Sequence, residues 1–315
     1  MKIVALAGGV GGAKLADGLA RLIPIPTLTV VVNTGDDFIL FGLNISPDLD
    51  TVCYNLAGFE DPAAGWGRAD ESWDVLKEIQ RLGGPDWFRL GDKDLATHLE
   101  RTRRLGAGEP LSSITADFCR VWGIEAVVMP MSDDSVATIV QTDQEELSFQ
   151  DYFVKLACEP AVSGFRFQGV DKSQPAPGVI QAINEADFIV ICPSNPWVSI
   201  DPILAVPGIR SALEGKVVLA VSPIIGGKAV KGPAAKMYLE MGITPSANAV
   251  ADHYGLLLDG IVIDKQDEGI LFDRSGESNH PIKVFSADTW MKTRKDRFRL
   301  AGEVVDFGQQ LLKEG

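Results

Sequence analysis

Gly8, Gly9, Gly11 and Gly12 lie a short distance ahead of four carboxylates, Asp36, Asp37, Asp48 and Asp50. Glycines let a backbone approach an anion closely, and the free N–H groups and dipole of a helix N-terminus favour negative charge there. Lys14 adds a cation just beyond them. Carboxylates hold hard divalent cations, and such a cation neutralises phosphate oxygens during transfer. Together these residues point to a metal-bridged phosphoryl site. Each part also has a plainer reading. Glycines serve any tight strand-to-helix turn, and Asp is favoured in turns and caps. The cluster fits neither GxGxxG nor GxxxxGK[ST], so the common nucleotide fingerprints do not decide between the readings.

The elements that must carry these residues follow from the spacing. Residues 2–7 read as a short buried strand, and a helix with Leu15, Leu19 and Leu22 on one face follows the glycines. Residues 28–33 read as a second strand, ending at TGDD; Asp48 and Asp50 fall in a Pro-containing loop before a short helix over 51–56. Residues 60–70 are a Gly-, Ala- and Pro-rich loop. Helices are expected over 72–82, from a cap at Asp94, and over 111–122 with Ser112 or Ser113 as cap. Strands follow at 124–130 and 136–141, a helix at 179–185, and buried strands at 187–192, 217–221 and 261–264. This pattern predicts one α/β domain over 1–315: a doubly wound, mainly parallel, Rossmann-like sheet. A helical and β insertion over about 60–175 would cover the carboxyl ends of the strands. GGVGG, NTGDD, PMSDD, PSNP and SPIIGG each follow a strand, and ligands of such sheets bind beyond those ends.

Further candidates are more ambiguous. Ser194 and Asn195 in CPSNP could bind a ligand or simply make a turn. Ser222 and Gly226 open a lysine-bearing loop that reads as a second anion cradle or a solvated surface. His98 could act as a base, though nothing in sequence puts a carboxylate beside it, and His253 and His280 have no recognisable context. Arg101, Arg103 and Arg104 read as a solvated helix face. Trp66, Trp73, Trp87 and Phe88 could wall a flat ligand, with core packing as the default. No HExxH or GxSxG occurs, which disfavours a zinc hydrolase and a nucleophile elbow. A net charge of −14 argues against a broad nucleic-acid surface. Cys53, Cys119, Cys158 and Cys192 are scattered, as expected of reduced thiols, and neither a signal peptide nor a membrane-length apolar run is seen. A cytoplasmic protein is expected.

As a set, GGVGGAKLADGL, VNTGDDF, ISPDLDT, GDKDLATHLERT, PMSDD, PSNPWVSIDPIL and SPIIGGKAVKGPA resemble the 2-phospho-L-lactate transferase family of coenzyme F420 biosynthesis. PDWFRLGDKDLATHL is most similar to bacterial members. The resemblance implies transfer of a phosphorylated three-carbon acid, lactyl or enolpyruvyl, from a guanosine diphosphate adduct to the ribityl hydroxyl of the deazaflavin Fo, releasing GMP. It implies magnesium held by Asp36 and Asp50, with Asp50 and Lys93 facing Fo. Gly8, Gly9, Gly11, Gly12, Lys14, Ser194, Asn195, Ser222 and Gly226 would hold the guanosine diphosphate portion, in a homodimer. Lys93 stands where the family usually has Arg, which loses the planar fork. A carboxylate such as Asp50 could orient or deprotonate the hydroxyl. Alternatives are a nucleotide-sugar-binding regulator sharing the fold, which has no need of an acceptor site, and a nicotinamide oxidoreductase, disfavoured without GxGxxG.

Overall fold

The structure, a computed structural model, describes residues 1–22, 27–269 and 282–314. His280 lies outside them. The chain opens with β1 (Ile3–Ala7), α1 (Gly9–Leu22) and β2 (Leu28–Val32). A short hairpin, β3 (Phe38–Leu40) and β4 (Leu43–Ile45), leads to α2 (Pro47–Ala57). Three helices, α3 (Asp74–Arg81), α4 (Asp92–Gly106) and α5 (Leu111–Val121), precede β5 (Val127–Pro130). Next come β6 (Ala137–Thr142), β7 (Glu146–Ser148) and β8 (Val162–Gln168). The segment α6 (Val179–Glu185) feeds β9 (Phe188–Ile191), and α7 (Asp201–Ala205) and α8 (Ile209–Ala212) feed β10 (Val217–Val221). A ribbon, β11 (Ile224–Ile225) and β12 (Lys228–Ala229), is followed by α9 (Ala234–Glu240), α10 (Ala247–Tyr254) and β13 (Gly260–Asp264). The described chain ends with β14 (Lys283–Ala287) and α11 (Arg294–Glu314).

Seven strands form one parallel sheet in the order β14–β13–β10–β9–β1–β2–β5, the doubly wound architecture expected. The strands alternate between two cores. Val4 and Leu6 join Val31, Ile189 and Ile191 on one face. Ile3, Ala5 and Ala7 join Val30, Val32 and Val190 on the other, under α1, α2 and α11. Both faces are covered, which is why these strands read as unbroken apolar runs rather than alternating ones. The chain leaves β1 for β2 and β5 on one side, then returns to β9 on the other. That reversal opens a crevice beyond the carboxyl ends of β1 and β9, where such sheets bind ligands.

Residues 60–175, expected as an inserted lobe, divide between structures. They hold α3, α4 and α5, the edge strand β5 of the main sheet, and a separate antiparallel sheet ordered β7–β6–β8. Four helix starts differ from expectation. The helix α1 begins at Gly9 and so takes in the glycines, and α2 begins at Pro47, which puts Asp48 and Asp50 in its first turn rather than in a loop. Neither Ser112 nor Ser113 caps α5; the Asp133 carboxylate, from the loop after β5, accepts from Ser112 N at 2.6 Å and from its hydroxyl at 2.7 Å. And α4 begins at Asp92, not after Asp94, because Glu71 accepts from the backbone N–H groups of Lys93 at 2.7 Å and Asp94 at 2.8 Å. Asp92 in turn accepts from Ser72 Oγ, Asp74 N and Val75 N and so caps α3. Among the described residues, no helix is long and apolar enough to cross a membrane.

Candidate functional site

The glycine turn connects β1 to α1 at the reversal, and the loop after β9 crosses it. Ser194 Oγ accepts from Gly8 N at 3.2 Å and donates to Gly8 O at 2.8 Å. A Cβ on Gly11 would lie 2.1 Å from the Pro193 carbonyl oxygen, and one on Gly12 would lie 2.6 Å from Ser194 Oγ. These two glycines are therefore required by the close approach of the loops, whatever else they bind. Asn195 Oδ1 accepts from Trp197 N at 3.1 Å and starts the turn Pro196–Ile200.

Asn33 closes β2 and gathers two carboxylates. Its Oδ1 accepts from Gly35 N at 2.7 Å. Its Nδ2 lies 3.1 Å from Asp36 Oδ1, 3.0 Å from Asp48 Oδ2 and 3.1 Å from the Val198 carbonyl oxygen. Asp48 lies against the glycine turn: a Cβ on Gly8 would sit 2.5 Å from Asp48 Oδ2. Asp36 and Asp48 are both buried. Burial, with repulsion from Asp48 and Asp37, pushes the Asp36 carboxyl well above its ordinary range. Burial raises Asp48 to about 6, against bonds from Asn33 and the Gly9 backbone that lower it. Burial also raises Asp37. Its Oδ2 accepts from Ser46 at 2.6 Å, while its buried Oδ1 has no hydrogen-bond partner. Asp36 and Asp48 meet at Asn33, and Asp37 stands near them with one unmatched oxygen; their oxygens do not converge closely enough here to form a ready cation set, although carboxylate oxygens are the ligands a hard divalent cation takes.

Asp50, in the first turn of α2, belongs to a second cluster. Arg101 Nη1 donates to its Oδ2 at 3.0 Å, and Nη2 donates to its Oδ1. Arg101 is buried, so the solvated helix face expected for the arginine cluster is corrected at this position; Arg103 alone of the three is fully on the surface. His98 Nδ1 lies 3.2 Å from Arg101 Nη1, and its Nε2 lies 3.3 Å from Asp94 Oδ1 without the alignment of a hydrogen bond. Tyr54 donates to Asp94 at 2.7 Å. Asp50, Asp94 and His98 bring potential ligand atoms within 4.8 Å of one another, but a guanidinium already engages both Asp50 oxygens. Asp36 and Asp50 thus lie in neighbouring clusters, with Asp37 in the field of both Arg101 and Asp48.

The remaining candidates have their partners elsewhere. Lys14 Nζ donates to the Met291 carbonyl oxygen at 2.9 Å, and burial, with Arg297 and Lys231 nearby, lowers its pKa. Ser222 Oγ turns back on Ile224, at 3.1 Å from both its N and its O. Gly226 is exposed, and its N–H donates to Asp267. Lys93 is exposed, and its ammonium is held by the Ala69 and Asp70 carbonyls at 3.2 and 2.7 Å. In the PMSDD loop, Asp133 caps α5 and Asp134 accepts from Gln174 N at 2.9 Å. Trp87 and Phe88 pack on Phe38 of the hairpin, with ring centroids 5.9 and 4.9 Å away. Asn33 and Arg101 were absent from the sequence-based site. The signals were there: a polar residue ending an apolar strand, and Asp94, His98 and Arg101 at helical spacing on one face of α4.

Known proteins resemble this chain along most of its length. A phosphoenolpyruvate transferase of Streptomyces griseus subsp. griseus is 49% identical over 316 residues, covering 96% of this chain and 99% of that protein. One from Thermobifida fusca is 42% identical, covering 99% of each. A crystal structure of a UPF0052 family protein from Bacillus halodurans shares the fold at a TM-score of 0.55 and 17% identity, covering 84% of this chain and 80% of that one. The family model described as 2-phospho-L-lactate transferase CofD matches residues 3–297, and the chain belongs to that family.

Proposed function

We propose that this chain moves a phosphoenolpyruvyl or phospholactyl group from a guanosine diphosphate adduct to the ribityl hydroxyl of Fo, releasing GMP, in coenzyme F420 biosynthesis. The observation that carries this reading is the buried Asn33–Asp36–Asp48 cluster set against the Gly8–Gly9 backbone at the strand reversal. In this reading the glycine backbone turns its N–H groups, here taken by Ser194 and Asp48, to phosphate oxygens beside carboxylates that need a counter-charge. The hydroxyl oxygen of Fo forms a bond to the phosphorus that bears the three-carbon acid. The P–O bond to GMP breaks, GMP keeps the bridging oxygen, and the hydroxyl proton is released. Such a transfer needs positioning and charge neutralisation rather than a covalent nucleophile.

The glycine turn, Lys14 and Ser194 hold the diphosphate in this proposal, and the loops of Asn195, Ser222 and Gly226 close around the rest of the donor. Asp50 orients the acceptor hydroxyl, and Lys93 swings from the Ala69 and Asp70 carbonyls toward Fo. Magnesium, when bound, neutralises the diphosphate and the departing phosphate. Asp36 is its proposed ligand, with Asp48 as the adjacent carboxylate. Asp50, also expected from sequence to hold it, would do so only with its Arg101 pairing opened. A cytoplasmic homodimer completes the proposal, and sedimentation at micromolar concentration checks the dimer.

The test is an assay with Fo and each donor, read by product mass, with and without magnesium. Magnesium-dependent product from one donor, with GMP in equal amount, is the expected result. No product from either donor, with Fo fluorescence unchanged on titration, overturns the reading and leaves a nucleotide-binding protein without an acceptor site.

A further inference from the structure

Arg101 could be only a clamp between α4 and α2. Three observations point further. Its fork engages both oxygens of Asp50, which fixes the plane of that carboxylate as well as its place; a lysine at this position could not. The guanidinium is itself braced, with Nη1 3.4 Å from the Asn44 carbonyl oxygen and 3.2 Å from His98 Nδ1. Arg can only donate, so a hydrogen bond across this contact makes His98 Nδ1 the acceptor and puts the ring proton on Nε2, 3.3 Å from Asp94 Oδ1. Tyr54 and Thr97 then bound that end, with Tyr54 Oη 2.7 Å from Asp94 and 2.9 Å from Thr97 Oγ1. Finally, the pair sits at the start of α2, two residues from Asp48. Apolar side chains would join two helices at no desolvation cost, so a buried ion pair at the first turn of α2 calls for another explanation than adhesion.

We propose that Arg101, braced by His98, is a positioning residue: it presents Asp50 to the acceptor hydroxyl in one orientation without touching substrate. The proposal rests on the transfer reading above. The fork takes one lone pair of each Asp50 oxygen and leaves a second on each, one of which would accept the hydroxyl hydrogen. Sequence-based reading misses this because Arg101 shares a tract with two arginines that do not pair with the site.

The experiment measures kcat, donor KM and melting temperature for wild type, Arg101→Lys, Asp50→Asn and the double variant, all on the full chain. Arg101→Lys is expected to lower kcat by about 10- to 100-fold, with donor KM within about twofold, since the lost interaction orients rather than binds. In the Asp50→Asn background the same substitution should change kcat by less than about twofold, because its effect passes through Asp50. Arg101→Lys at wild-type kcat, or an equal loss in both backgrounds, overturns the proposal. If Arg101→Lys does not fold, His98→Gln, which removes the brace and keeps the charge pair, decides: a fall in kcat of about 3- to 10-fold supports it and wild-type kcat overturns it. Wild type without turnover sinks the transfer reading and this proposal together. Active wild type with unaffected variants sinks this proposal alone.

Discussion

Asp48 shows how a single side chain can be held at a cost to the fold. Its carboxyl is raised to about 6 by burial, above the ordinary value of 3.8. A folded-state value above the unfolded one means the folded protein binds the proton more tightly. The stability this gives is complete below pH of about 4 and is lost as pH rises through about 6. Asp48→Asn removes that loss. It is expected to stabilise the protein at pH 8 in a chelator by up to about 3 kcal/mol, from the roughly 2-unit shift, with the gain shrinking toward pH 5. Thermal melts of both proteins across that range check it. The same substitution is expected to lower turnover by about 100-fold or more. Added magnesium should raise the wild-type melting temperature more than that of the variant. At this scale the sequence was partly legible. TGDD and PDLD marked where carboxylates gather, but which of them share a cluster depends on Asn33 and Arg101, whose directions no spacing shows.

At the scale of elements, the central strands were the most readable part, because strands covered on both faces carry few polar residues, while the edge strand β14, KVFSA, was missed. The helices were less so. Glu71 and Asp133 cap helices from other segments, and a cap supplied across a loop leaves no local pattern. The long α11 was not anticipated at all, and its packing turns on two glycines of opposite character. A Cβ on Gly18 of α1 would lie 2.3 Å from the Arg297 carbonyl oxygen, so the helices touch backbone to backbone there. Around Gly302 of α11 nothing lies within 4 Å of such an atom. Gly18→Ala is expected to destabilise by about 1–3 kcal/mol through overpacking. Gly302→Ala is expected to stabilise by about 0.5–1 kcal/mol through helix propensity. Urea denaturation of the two variants separates the cases, and equal effects would contradict the packing described.

Across the whole molecule, the ends of the chain are joined. Buried Arg297 of α11 donates to Asp17 of α1 at 2.9 Å and to Asn55 of α2 at 3.1 Å, and lies 3.2 Å from Glu60. Arg297→Ala leaves buried Asp17 with Arg21 and buried Glu60 with Arg294 as their remaining partners, and is expected to cost about 2–3 kcal/mol, read as a lower urea midpoint. If the first and last elements unfold as one unit, amide exchange in β1 and α11 should slow and quicken together. The net charge of −14 was legible from composition, yet the pairing of residues 280 positions apart was not, since only the fold brings them together.

The exchange of caps between α3 and α4 has a bearing on how this family can vary. Glu71 and Asp92 lock the two helix starts to each other, so the chain between them leaves and re-enters at a shared anchor. Residues 82–86 are then a detour hung from a fixed buckle, ahead of Trp87, Phe88 and Leu90, which pack with the hairpin and Leu95 of α4. Lengthening or swapping that stretch would leave both helix starts where they are, and with them the register of Asp94, His98 and Arg101 along α4.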